Sequence, residues 1–192
     1  MAKIVEKKEK RRGRFSPAMS RRIRIFLIEI AAVFILSAIV SRMFFGSVSI
    51  QENSMSPTIE SGDTVLLNRV SYSFGSVQRG DLIAYRLNSR TDSAAHVKRV
   101  IGLPGETIQI SEGTILINGS TYLESEDYPE IMNAGLASDA ITLGNDEYFV
   151  LGDNRNNSED SRYTDVGNIS REDIIGKVWF RTDPRSSMGL LR

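Results

Sequence analysis

A mostly β fold behind one transmembrane helix is what this 192-residue sequence predicts. Two observations lead there. Residues 25–45 are almost wholly apolar, and the rest of the chain breaks into short β-rich runs bounded by Gly, Asp, Ser and Pro. A third sharpens it: Asn118-Gly119 sits between two β-forming runs in "TILINGSTYL", a hairpin signal that argues for antiparallel pairing. The expected organisation is a basic cytoplasmic tail over 1–24, a membrane-spanning helix over 25–45, and an extracytoplasmic domain of short antiparallel strands over 46–192, carrying a small insertion.

Charge supports this division. The formal net charge is zero. Residues 1–24 nevertheless hold ten Lys/Arg against Glu6 and Glu9, so the remainder is acidic by the same amount. Such a split suits two environments rather than one neutral globule. From Ile25 to Ser41 the only charged residue is Glu29. These positions reach about 26 Å as a helix, and Arg42 can snorkel while the apolar residues to Phe45 extend the span. The basic cluster on the N-terminal side predicts a cytoplasmic N-terminus and a single pass. "SAIVSRMFF" lacks the paired small residues of a signal-peptide cut site, so the segment reads as an anchor. Glu29 is expected near the cytoplasmic interface. A basic tail joined to an apolar helix suits a bilayer, and no nucleic-acid partner is expected. The absence of cysteine excludes disulfides, thiol catalysis and zinc–thiolate sites.

Beyond the anchor the strands follow in order. "SVSI" alternates, with Val48 and Ile50 on one face. "DTVLLNRV", "DLIAYRL" and "HVKRVIGL" come next, then the hairpin, then "DEYFVLGD" and "IIGKVWFRTD". Segment 123–144 is acidic and irregular and reads as a surface insertion. Only "SREDIIG" suggests a helical turn, with Ser170 as its N-cap.

The stretch "ENSMSPTIESGD", Glu52 to Asp63, contains Ser54, Ser56 and Ser61. A serine hydroxyl needs an adjacent base to act as a nucleophile. The candidates are His96, the only histidine, and Lys98, and strand alternation puts both on one face with Val97 and Arg99 on the other. Spacing alone does not choose between them.

Longer motifs do. Ser54-Met55-Ser56-Pro57-Thr58-Ile59, followed by Gly62-Asp63, resembles the serine box of type I signal peptidases. Residues 98–106, "KRVIGLPGE", resemble their lysine box, and residues 152–163, "GDNRNNSEDSRY", their C-terminal box. "GDTVLLNRVSY" and "RGDLIAYR" resemble two intermediate boxes. The order agrees, and the resemblance covers most of residues 25–180. It implies a signal-peptidase-like β domain, Ser54 as nucleophile and Lys98 as general base. It implies further that Ser158 hydrogen-bonds the lysine, that Asp160 and Arg162 pair to support that loop, and that Val48, Ile50, Met55, Ala84 and Val97 line the substrate pockets. His96 falls outside these roles and reads as a bystander. An ordinary lysine carries its proton at neutral pH, so a dyad of this kind needs a dry pocket that disfavours the charged form.

One position departs from the family pattern. Two residues before the nucleophile, where relatives carry serine or glycine that contributes an oxyanion donor, this chain has Glu52. The Ser54 amide is then one donor, and the Glu52 backbone amide is the expected second.

The resemblance implies removal of N-terminal signal peptides from exported preproteins by a membrane-anchored serine endopeptidase, with no metal or cofactor. Its partners would be signal peptides, the lipid bilayer and the secretion translocon. Two other readings share the fold: a self-cleaving Ser–Lys repressor-type peptidase, and a non-catalytic anchored chaperone or assembly factor. The first calls for a DNA-binding N-terminal domain, and the second sits poorly with retention of both Ser54 and Lys98.

Overall fold

The computed structural model describes residues 17–87 and 94–191. Most of the basic tail expected over 1–24 lies outside the described residues. The chain forms two units that divide between Arg42 and Met43.

The first unit is helix α1, Pro17–Phe44. Proline suits the first helical position, where its missing N–H costs nothing. The helix starts earlier than expected because arginines are good helix formers and carry the helical turn into the basic segment. Arg21–Arg42 gives 22 residues of span length, about 33 Å at the helical rise and sufficient for a bilayer core. None of this span is buried in protein. Phe26, Val33, Phe34 and Leu36 are exposed, as an all-round apolar surface requires if lipid is to cover it.

The second unit begins at once, because Phe45 already belongs to strand β1, Phe45–Ser49. The predicted anchor boundary therefore moves back by one residue. β2 (Thr64–Asn68), β3 (Leu82–Tyr85), β4 (His96–Gly102), β9 (Glu147–Leu151) and β11 (Ile174–Asp183) are the β-rich runs read from the sequence. With β10 (Ile169–Ser170) they form an antiparallel sheet in the order β1-β2-β11-β3-β4-β9-β10, and β12 (Gly189–Leu190) adds to β11. β11 is the longest strand, and bulges let it pair with both β2 and β3.

A second sheet has the order β7-β6-β5-β8. β6 (Thr114–Ile117) and β7 (Ser120–Thr121) are the predicted hairpin. Asn118 and Gly119 both take positive φ, 53° and 78°, as a tight turn of this type demands. β5 (Thr107–Ser111) and β8 (Ile141–Thr142) complete the sheet. β5 was not among the strands read from sequence, although Ile108 and Ile110 alternate with polar residues and are buried.

Three expectations change. Segment 123–144 is irregular, yet it is no loose surface insertion. Ile131, Ala137 and Leu143 pack with Ile108, Ile110 and Phe149 in one core cluster. Ser170 precedes a 3₁₀ turn, Arg171–Asp173, but its side chain makes no capping bond, because the turn is too short to leave a full set of free amides. A one-turn helix α2, Ser71–Phe74, escaped the sequence reading, since a single turn has no periodicity to read.

Pairing in β3–β4 decides what faces the site. Ile83 lies opposite Lys98, Ala84 opposite Val97, and Tyr85 opposite His96. His96 and Lys98 therefore share a face with Ile83 and Tyr85, while Val97 shares the other with Ala84.

Candidate active site

The 50–63 loop presents Ser54. Its ends are tied by hydrogen bonds from the Ile50 amide to the Asp63 carbonyl (2.8 Å) and from the Gly62 amide to the Ile50 carbonyl (2.8 Å). Met55 and Ile59 anchor its middle in the core. The Thr58 hydroxyl donates to Asp153 at 2.6 Å, and the Asn154 amide donates to the Ser54 carbonyl at 3.0 Å. The serine loop is thus stitched directly to the 152–162 segment.

Gly152 makes that contact possible. A Cβ there would overlap the Ser54 carbonyl oxygen and Ser158 Oγ. Its amide donates to Asp160 Oδ2 at 3.0 Å. Asp160 in turn receives Arg162 through Nε–Oδ1 (2.8 Å) and Nη2–Oδ2 (2.9 Å). Both residues are buried, and the remaining Arg162 donors go to the carbonyls of Asn133 and Arg155. The expected Asp160–Arg162 pair is present in this form. A second bidentate pair joins Arg99 to Asp153, at 2.7 Å for each bond. Arg155 pairs with Glu124 and lies over the Tyr128 ring at 4.0 Å.

Against this frame Lys98 is 0% exposed, and its Nζ lies 2.7 Å from Ser54 Oγ. The nucleophile and base candidates, 44 residues apart in sequence, are in direct contact. Ser56 and Ser61 are not: the Ser61 hydroxyl donates instead to the Gln51 carbonyl.

The lysine's other partner differs from expectation. Lys98 Nζ donates to Glu52 Oε2 at 3.1 Å, and Ser54 Oγ approaches the same oxygen at 3.3 Å. Ser158 is buried nearby, but its hydroxyl has no hydrogen-bond partner among the described residues. The Lys98–Ser158 bond expected from the sequence is absent. A charge-assisted bond is roughly twice as strong as a neutral one, so a carboxylate within reach takes the amine from a hydroxyl.

His96 is likewise no bystander. Its Nδ1 lies 2.6 Å from Glu52 Oε1. Hydrogen bonding from His96 is the largest influence on Glu52; burial opposes it, and the Lys98 charge reinforces it. Together they hold the carboxyl down at about 2. Glu52 is therefore an acceptor only, and the hydrogen between the two residues belongs to the imidazole.

Two clefts meet at Glu52 and Ser54. One, of about 520 Å³, is lined by Val48, Ile50, Met55 and Val97, together with Arg86 and Ala95. Four of the five predicted pocket residues are there. Ala84 is not: paired opposite Val97, it is completely buried in the core cluster with Ile50 and Met55. The other cleft, of about 560 Å³, is polar and includes Asn156, Ser158, Glu159, Tyr163 and Asp165. No cluster suited to a metal ion occurs among the described residues.

Comparison with known proteins identifies the family. The family model "Signal peptidase, peptidase S26" matches residues 22–182. Signal peptidase IB of Staphylococcus aureus (strain COL) is 34% identical over 185 aligned positions, covering 88% of this chain and 93% of the relative. Probable signal peptidase I-2 of Synechocystis is 34% identical over 149 positions, covering 74% of this chain and 65% of that protein. A solved signal peptidase I from Enterococcus faecalis V583 is 32% identical, with TM-score 0.43, covering 53% of this chain and 96% of that one.

Proposed function

The chain belongs to the signal peptidase family, peptidase S26, and is a serine hydrolase that removes signal peptides; from that premise we propose that Ser54 is its nucleophile and Lys98 its general base. The observation that carries the proposal is the 2.7 Å approach of a fully buried lysine amine to a serine hydroxyl at the junction of two clefts. His96 is directed to Glu52 rather than to Ser54. Glu52 also touches the hydroxyl, but a carboxyl held near 2 is too weak a base to take its proton.

The substrate enters extended. β4 pairs with β3 from His96 to Arg99, whereas its pairing with β9 begins only at Arg99. Among the described residues, the β9-side edge of His96–Lys98 therefore has no strand partner, and a peptide can add there as a strand. The apolar cleft takes small side chains on the signal-peptide side of the scissile bond, against Val48, Ile50, Met55 and Val97. The polar cleft receives the mature side. Neutral Lys98 takes the Ser54 proton as Oγ attacks the scissile carbonyl carbon, and the Ser54 amide stabilises the oxyanion. Lys98 then returns that proton to the departing amine, leaving an acyl ester on Ser54. It next takes a proton from water, whose oxygen attacks the ester, and returns it to Ser54 as the signal peptide leaves. No step calls on a metal or cofactor.

Helix α1 would hold this site beside the bilayer, where signal peptides and the secretion translocon also lie, and so raise the effective concentration of substrate. The N-terminus would be cytoplasmic and residues after about 46 outside, following the positive-inside rule. Protease added to intact spheroplasts should digest that outer part; full protection would reverse the topology. The catalytic proposal is tested by preprotein cleavage with wild type, Ser54→Ala and Lys98→Ala. Both variants should be inactive while folded, and processing by Ser54→Ala would overturn the assignment.

A further inference from the structure

The Ser158 hydroxyl, expected to aim the base, has no hydrogen-bond partner among the described residues, and the Glu52 carboxylate bonds the amine instead. Glu52 accepts from Lys98 through one oxygen and from His96 through the other. This arrangement has a direct chemical consequence. A neutral lysine amine has two N–H bonds and one lone pair. If one N–H is held by Glu52, the rotation of the amine is restricted, and its lone pair can be presented to Ser54. The same carboxylate also favours the ammonium form, which is not a base. His96 moderates that second effect. By donating to Oε1 it draws negative charge toward itself and away from the oxygen that faces Lys98.

We propose that Glu52, held by His96, is the positioning residue for the general base Lys98 in this enzyme, in place of the Ser158 hydroxyl. The proposal rests on the Ser54–Lys98 assignment above. It also accounts for the departure at position 52, where a side chain that cannot donate to an oxyanion has been turned toward the amine instead.

The charged and titratable surroundings of Glu52 are few. β4 contributes His96 and Lys98. β3 contributes Tyr85, whose ring lies 5.7 Å from that of His96. Burial, with the Glu52 and Asp160 charges added, pushes the Tyr85 phenol well up, so it stays neutral throughout the working range. Arg86 lines the apolar cleft beside Glu52. Glu159 and Asp165 line the polar cleft. His96 hydrogen-bonds the carboxylate that accepts from the amine, so substitutions of Glu52 and of His96 should act in opposite senses.

The test is kcat and KM against pH for the full-length chain in detergent, with a synthetic peptide that spans a signal-peptide cleavage site. Glu52→Gln removes the charge but keeps an oxygen that can accept from the amine. Its rising limb should move to lower pH, with kcat on the plateau retained. Glu52→Ala should make the same move but lose about tenfold in kcat with KM little changed, because the amine is no longer aimed. His96→Ala should move the limb the other way, to higher pH, and should have no such effect in the Glu52→Gln background. Thermal unfolding of each variant verifies the fold. An unmoved limb in Glu52→Gln, or a His96→Ala shift that persists without the carboxylate, would overturn the proposal while leaving the dyad intact. Cleavage by Ser54→Ala would instead overturn the dyad itself.

Discussion

Two groups of charges adjoin Ser54, and they are built on opposite rules. Behind the serine loop, Arg99–Asp153 and Arg162–Asp160 are bidentate pairs between buried residues. Each guanidinium there has a carboxylate matched to its own fork. At the dyad, one carboxylate that is 44% exposed serves an ammonium, an imidazole and a hydroxyl together. The difference separates two tasks. Arginine keeps its proton at any working pH and forms a rigid fork, so the first group can only hold shape. Lysine can lose its proton and so can serve as a base. The frame is fixed by charges that never change; the chemistry is left to one that does.

Breaking the frame should have the largest effect. Arg162→Ala leaves Asp160 buried without its partner and should cost about 3–5 kcal/mol, read as a drop in the unfolding midpoint of the full-length protein. Arg162→Lys should recover little of this, because an ammonium cannot reproduce the fork. If Arg162→Ala were as stable as wild type, the contrast between rigid frame and titrating site would fail. Next in size is Gly152→Ala. The new methyl would overlap the Ser54 carbonyl and Ser158. A stability loss of about 1–3 kcal/mol is expected, with a fall in kcat as the nucleophile is displaced.

Ser158→Ala sharpens the comparison from the other side. Its buried hydroxyl has no partner among the described residues, so removing it should stabilise the protein, by about 1 kcal/mol, and leave kcat nearly unchanged. A loss of kcat of about tenfold or more would return Ser158 to the lysine. The smallest effect concerns acid stability. Glu52 is held at about 2, below its ordinary 4.5. The contribution from ionised Glu52 is therefore fully present above about pH 4.5 and is lost as the pH falls toward 2. Unfolding of Glu52→Gln followed over that window should be flatter than wild type. Identical curves would mean that the His96 bond does not persist in solution.

Much of this molecule is determined locally and could be read from sequence. The 17 residues from Ile25 to Ser41, broken only by Glu29, suffice for a span. The runs that became β2, β3, β4, β9 and β11 show their β character in their own residues, and Asn118-Gly119 carries its turn in two. The serine, lysine and C-terminal motifs are contiguous stretches, and their family resemblance singles out Ser54 and Lys98.

Tertiary structure decided which groups compete for which partner. Nothing near Ala84 in sequence says that it will pair with Val97 and be buried in one core with Ile50 and Met55, and nothing in the acidic 123–144 segment says that Ile131 and Leu143 will complete a core with Phe149. Glu52 and His96 are 44 residues apart, and their bond forms only because β3–β4 pairing and the tied 50–63 loop bring them to one face. Besides Ser54, Lys98 then bonds the Glu52 carboxylate rather than the Ser158 hydroxyl. The motifs name only the hydroxyl of Ser158 as the lysine's partner. The preference comes from Coulomb attraction over about 3 Å in a partly dry site, a quantity that exists only once the chain has folded.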